Sequence, residues 1–154
     1  MTDAANTTAT VTERDLLNEV FRNTRMSADS LLDLLPHAKD EKFRKYLTEQ
    51  ITRYEAYSTD ATKELEKLGE KPSGENPIAK ISAKMGTFWH TVMDSGTPHL
   101  AQMVLEGTTM GVGELLRIIR NAENSGVSGA SLELARNVCS YEERVTEQIK
   151  EFMK

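Results

Sequence analysis

Cysteine is nearly absent from this chain: Cys139 is the only one in 154 residues. No intrachain disulfide can form, and a lone thiol fits a reducing compartment. Histidine occurs three times, scattered, so with one cysteine no zinc-ligand spacing exists. Aromatic residues are 6% of the chain, fewer than an all-β domain packs with. Four prolines and nine glycines are too few for a collagen-like or low-complexity chain. No apolar run approaches the roughly 18–20 residues that span a bilayer. The first residues show no basic stretch followed by an apolar one, so no secretory signal is expected and the cytoplasm is the expected location. A net charge of −5 argues against nucleic-acid and anionic-membrane partners. Gly-x-Gly-x-x-Gly, P-loop and Gly-x-Ser-x-Gly motifs are missing, and Gly107, Gly111 and Gly113 lie inside a helical pattern.

What is present is helical periodicity. The polar stretch 1–11 offers nothing to bury and is expected to be a disordered tail, leaving 12–154 as one domain. Thr12, followed by Glu13 and Asp15, opens a helix with a loose capping box. Its stripe is Leu17, Val20, Phe21, Thr24, Ala28, Leu31 and Leu35, and Pro36 ends or kinks it. A second helix opens near Asp40 with Phe43, Leu47, Gln50, Tyr54, Ala61, Leu65 and Leu68 inward, and Gly69 terminates it. Glu70 to Pro77 reads as a loop. A short, interrupted helix from about Pro77 to Met93 follows, with Phe88, Trp89 and Met93 as an exposed apolar patch and so interface candidates.

A third helix is expected from about 98 to 121, with Pro98 in its first turn and Thr97 as its cap. Gly107, Gly111 and Gly113 each cost this helix about 1 kcal/mol relative to alanine, so they imply a close approach of another backbone or a local distortion. The loop from Asn121 to Gly129 leads into a fourth helix. The fold class predicted is all-α: an antiparallel four-helix bundle with a short extra helix between helices two and three.

One residue conflicts with this pattern. In the fourth helix Leu132, Ala135, Val138, Val145, Ile149 and Phe152 recur at three- and four-residue steps, and Glu142 stands in the same row. A glutamate there must be paired, protonated, metal-bound or at the row's edge. Thr24, Gln50 and Tyr54 interrupt the rows of the first two helices, so with Glu142 they are expected to form an interior polar layer. Tyr54 or Gln50 is the expected partner of Glu142. His99, Met103, Glu106 and Met110 share a face of helix three, which makes His99 and Glu106, with Glu142, metal candidates. A register-pinning hydrogen-bond network is the favoured reading of the layer, against a metal site and against a small-molecule or anion site.

The stretches LLDLLPHAKDEKFRKYL (Leu31 to Leu47) and HLAQMVLEGTTMGVGELL (His99 to Leu116) resemble the ferritin-like superfamily, and within it a group of small uncharacterised bacterial four-helix-bundle proteins. The resemblance covers roughly residues 14–153. Ferritin-like oxidases hold two metal ions with a glutamate from each of two helices and a Glu-x-x-His from each of the other two. Here Glu49 is followed at the third position by Thr52, Glu142 by Val145 and Glu143 by Thr146. The ordinary di-iron site is therefore expected to be absent or degenerate, and no cofactor is expected.

Three functions remain. The first is a non-enzymatic structural or protein-interaction role, with a homo-oligomer, a dimer first, as the partner. The second is a divergent metal-binding or oxidase protein using iron or manganese at interior carboxylates. The third is a small-ligand module in a helix-lined cavity.

Overall fold

A computed structural model of the chain describes residues 10–72 and 96–154. Among these the structure is all-helical: α1 (Glu13–Leu34), α2 (Glu41–Lys67), α3 (Thr97–Asn124) and α4 (Ala130–Gln148), with short 3-10 turns at Leu35–His37 and Ile149–Met153. The stretch read as a short extra helix, with Phe88, Trp89 and Met93, lies outside the described residues.

α1 begins as its sequence dictates. Thr12 Oγ1 accepts from the Asp15 amide at 3.1 Å while Asp15 Oδ2 accepts from the Thr12 amide at 3.0 Å, a full capping box. That backbone hydrogen bond from Thr12 is also the main reason the Asp15 carboxyl sits below its ordinary range. Val11, just before the cap, and Leu16, in the next turn, are buried in one apolar cluster, as in a hydrophobic staple. The Val11 amide donates to Ser125 Oγ at 2.9 Å, tying this end to the end of α3. The expectation that nothing up to residue 11 is buried is thus corrected at Val11, which is 8% exposed. Thr12→Ala removes the Oγ1 acceptor of the Asp15 amide and leaves the bond from the backbone amide of residue 12 to Asp15 Oδ2, and urea unfolding should show a loss of about 1 kcal/mol.

Pro36 does not kink α1. The helix ends at Leu34 and tightens into the 3-10 turn, where a missing amide costs least. Asp40 caps α2, its Oδ2 accepting from the Phe43 amide at 2.8 Å. Gly69 (φ 75°) supplies the left-handed residue that stops α2. At the start of α3 the cap is Gly96, and Thr97 is the first helical residue rather than the cap. α3 also runs on to Asn124, into the stretch expected to be loop.

The interior divides into two apolar clusters. One joins the start of α1 (Leu16, Leu17, Val20) to the end of α2 (Ala61, Leu65), the end of α3 (Leu115, Ile119) and the start of α4 (Leu132, Ala135, Val138). The other joins the end of α1 (Ala28, Leu31, Leu34) to the start of α2 (Phe43, Leu47, Ile51, Tyr54), the start of α3 (Leu100, Met103, Val104) and Ile149 beyond α4. Between these clusters each helix presents something small or polar: Asn23 and Thr24 from α1, Ser58 from α2, Gly111 from α3 and Glu142 from α4, all buried. The candidate site is this polar waist.

Candidate functional site

Glu142 is completely buried, on the inward face of α4 between Val138 and Val145. Its Oε1 accepts from Asn23 Nδ2 of α1 at 3.4 Å, a long bond. The same amide nitrogen donates to the backbone carbonyl of Gly111 in α3 at 3.3 Å. One asparagine amide thus bridges α1, α3 and α4. Glu142 Oε2 and Asn23 Oδ1 have no hydrogen-bond partner.

Burial pushes the Glu142 carboxyl up to about 8, with the side chains of Asn23, Tyr54 and Ser27 pulling partway back. Among the described residues no lysine, arginine or histidine acts on it. Without a counter-charge the ionised form is costly in a medium that cannot solvate it, so the group holds its proton at neutral pH. The effect reaches its neighbours. Tyr54 is held well above the ordinary tyrosine range by burial and then by the Glu142 charge. The Cys139 thiol is pushed up to about 11 by burial, then by Glu143 and Glu142, which leaves it an inert core group.

Gly111 makes room for this arrangement. A Cβ there would stand 3.1 Å from Asn23 Nδ2 and 3.2 Å from each carboxyl oxygen of Glu142. The close approach expected of the helix-three glycines is therefore to side chains at Gly111, while a Cβ at Gly113 would meet nothing within 4 Å.

The other expected members of the layer behave differently. Thr24, Gln50 and Tyr54 are all buried. Thr24 turns its hydroxyl back to the Val20 and Phe21 carbonyls, at 2.8 and 3.1 Å, and so binds its own helix. Gln50 leaves both its amide oxygen and its amide nitrogen without partners. The expected pairing of Gln50 with Glu142 is thereby corrected. Tyr54 does sit close enough to influence Glu142, yet it leaves Oε2 unbonded.

The metal candidates separate. His99 and Glu106 are exposed, and Glu106 accepts from Gln102 Nε2 at 3.2 Å. The inward face of α3 is Leu100, Val104, Gly111, Leu115 and Ala122; the row His99, Glu106 and Met110 lies about a third of a turn around the helix, with only Met103 at the border. Among the described residues no three His, Cys, Asp or Glu side chains come together as a metal-binding group.

Two residues that matter, Asn23 and Ser27, were not among the expected site residues. The signal available was their four-residue spacing beside the apolar row, which puts both on one helix edge. Ser27 donates to the Asn23 carbonyl at 2.8 Å and lines a crevice of about 40 Å³ between α1 and α3, with Tyr54 behind it.

On the opposite side of the molecule Tyr141 of α4 stands edge-on to Tyr54 and Tyr57 at 5.5 and 5.8 Å. The guanidinium groups of Arg53 and Arg144 lie over its ring at 5.9 and 5.8 Å. This aromatic group seals the waist from that side. Compared with known proteins, the chain matches no family model, no curated protein and no solved structure.

Proposed function

We propose that this is an antiparallel four-helix bundle of ferritin-like type, without an intact di-iron centre, that works by association with a second copy of itself rather than by catalysis. The two apolar clusters support the antiparallel arrangement, because the start of α1 shares a cluster with the end of α2 and the start of α4 with the end of α3. In a ferritin-like frame the waist would be the metal layer. Thr52 and Val145 stand where the Glu-x-x-His pattern needs imidazoles, and Glu142 has an asparagine amide beside it instead of a second carboxylate.

The observation that carries the association reading is a second apolar row on α3. Leu105, Val112 and Leu116 share a face with Thr109, away from the inward row. Leu105 and Val112 are half-buried against the two core clusters, and Leu116, 48% exposed, is the open end of the row. An exposed leucine continuing a row that flanks the core offers a second copy an apolar contact. A self-complementary helix face suits a two-fold dimer, the commonest soluble oligomer. No described helix is long and apolar enough to cross a membrane, and a cytoplasmic location fits the single, inert cysteine.

Sedimentation velocity of the full chain at micromolar concentration should show a species of twice the 17.2 kDa chain mass. Leu116→Glu places an unpaired charge in the contact and should weaken the dimer roughly tenfold or more, without lowering the helical signal. A strict monomer for the unmodified chain across that range would remove the basis for the proposal.

A further inference from the structure

We infer that Glu142 is a pH-sensitive latch between two helical hairpins, holding α3 against α1 while its carboxyl is neutral and releasing it once the carboxyl ionises. α1 packs mainly on α2 and α3 mainly on α4, so the described chain is two hairpins laid against each other. Hydrogen bonds tie the hairpins at both ends and in the middle. At one end the Val11 amide donates to Ser125 Oγ at 2.9 Å and Ser131 Oγ donates to Glu13 Oε2 at 2.5 Å. At the other end the Tyr46 hydroxyl donates to Gln148 Oε1 at 3.0 Å. The middle tie is the waist, where Asn23 Nδ2 donates to the Gly111 carbonyl and to Glu142 Oε1, and it is fully buried.

The middle tie requires a neutral carboxyl. One amide nitrogen serves two acceptors there, at 3.3 and 3.4 Å, and Glu142 Oε2 has no partner. A Cβ at Gly111 would stand 3.2 Å from both carboxyl oxygens, so α3 lies directly on the group. A carboxylate in that position needs donors or water around both oxygens. It gains them by taking Asn23 Nδ2 from the Gly111 carbonyl and by drawing water between α1 and α3, which parts the two helices. The opposite side resists, because Tyr141 of α4 stands edge-on to Tyr54 and Tyr57 of α2. The α1–α3 side is already incompletely filled. One turn along from Asn23 and Gly111, Ser27 and Gly107 border the crevice of about 40 Å³. With both ends tied, the opening is a parting of α3 from α1 at mid-height.

The groups that face Glu142 are Asn23 and Ser27 of α1, Tyr54 of α2 and the Gly111 backbone of α3; on its own helix the titratable neighbour is Cys139. Tyr54 is held well above the ordinary tyrosine range and Cys139 up to about 11. Between pH 6 and 8, therefore, Glu142 alone among them changes charge. The closed form keeps its proton up to about 8, whereas a hydrated glutamate ionises near 4.5. Opening releases that proton to solvent, so the open form gains roughly tenfold per pH unit inside this window and levels off above it.

The test is native-state hydrogen exchange of the full chain at pH 6, 7 and 8, each amide's rate being divided by its intrinsic rate at that pH. From pH 6 to 8 the protection of the α3 amides around Gly111 should fall about fiftyfold. At pH 8 those amides should be roughly tenfold or more less protected than the amides of Leu47 and Leu65 in α2, because the opening spares the α1–α2 hairpin. In Glu142→Gln the protection around Gly111 should not change with pH. The unmodified chain decides the question without the variant: a flat profile around Gly111, or equal protection of α2 and α3 at pH 8, overturns the latch, the second because the chain then unfolds as a whole. A fall of the same size in Glu142→Gln overturns it too, since another group would be driving the change.

Discussion

Glu142→Gln is expected to stabilise the protein at pH 8.5 by several kcal/mol and to change it little at pH 4. In the unfolded chain the carboxyl ionises near 4.5, whereas in the folded protein burial holds its proton up to about 8. Between those values folding takes up a proton, so the stability of the unmodified protein falls as pH rises. The slope is roughly 1.4 kcal/mol per pH unit for a group fully protonated on one side and fully ionised on the other. The stability is therefore complete below pH 4.5, is lost through the window up to about 8 and levels off above it. Glutamine has the shape of the protonated acid and cannot ionise. Its amide oxygen keeps the acceptor role towards Asn23 Nδ2, and its amide nitrogen offers a donor to Asn23 Oδ1, which now lacks one. Urea unfolding followed by circular dichroism from pH 4 to 9 gives the comparison. If the difference between the two proteins stays flat with pH, or the variant is weaker throughout, Glu142 is not the uncompensated buried acid described above.

Such an acid was partly visible in the sequence. The row Leu132, Ala135, Val138, Val145 and Ile149 placed Glu142 inward or at the row's edge, and the choice between the two, complete burial, came only from the packing. Its partners were legible in part. Tyr54, on the inward row of α2, does act on Glu142, whereas Gln50 on the same row does not, because spacing along one helix says nothing about the height at which another helix crosses it. Asn23 sits on the flank of the α1 stripe, and only the packing of α1 against both α3 and α4 makes a flank position interior. The same limit explains His99 and Glu106. α3 has apolar residues on more than one face, so a row at steps of four, three and four was equally compatible with facing inward or outward. The helices themselves were more legible because their signals are local: the Thr12 and Asp40 caps, Gly69 at the end of α2 and the period of each stripe.

The waist also accounts for a glycine in the middle of a 28-residue helix, and substituting it gives the second large effect. Gly111→Leu should destabilise the protein by about 3 kcal/mol, at the upper end of what overpacking a core costs. The first added atom already falls 3.1 Å from Asn23 Nδ2 and 3.2 Å from both Glu142 oxygens, and the isobutyl group would need the space those side chains fill. Neither can withdraw freely, since Asn23 bridges to the Gly111 carbonyl and to Glu142. Gly111→Ala separates the two forces at work. Alanine favours the helix over glycine by about 1 kcal/mol, while its Cβ presses on the pair. With Glu142 intact, the crowding should win and the variant should lose roughly 1 kcal/mol. In a Glu142→Ala background the carboxyl is gone, and the same change should become stabilising by up to about 1 kcal/mol. Gly113→Ala, where a Cβ meets nothing within 4 Å, serves as the propensity control and should stabilise in both backgrounds. A double-mutant cycle from urea unfolding measures the coupling between positions 111 and 142. If Gly111→Ala stabilises the unmodified protein as Gly113→Ala does, the waist is loose enough to repack and Gly111 is not what holds Asn23 and Glu142 in register.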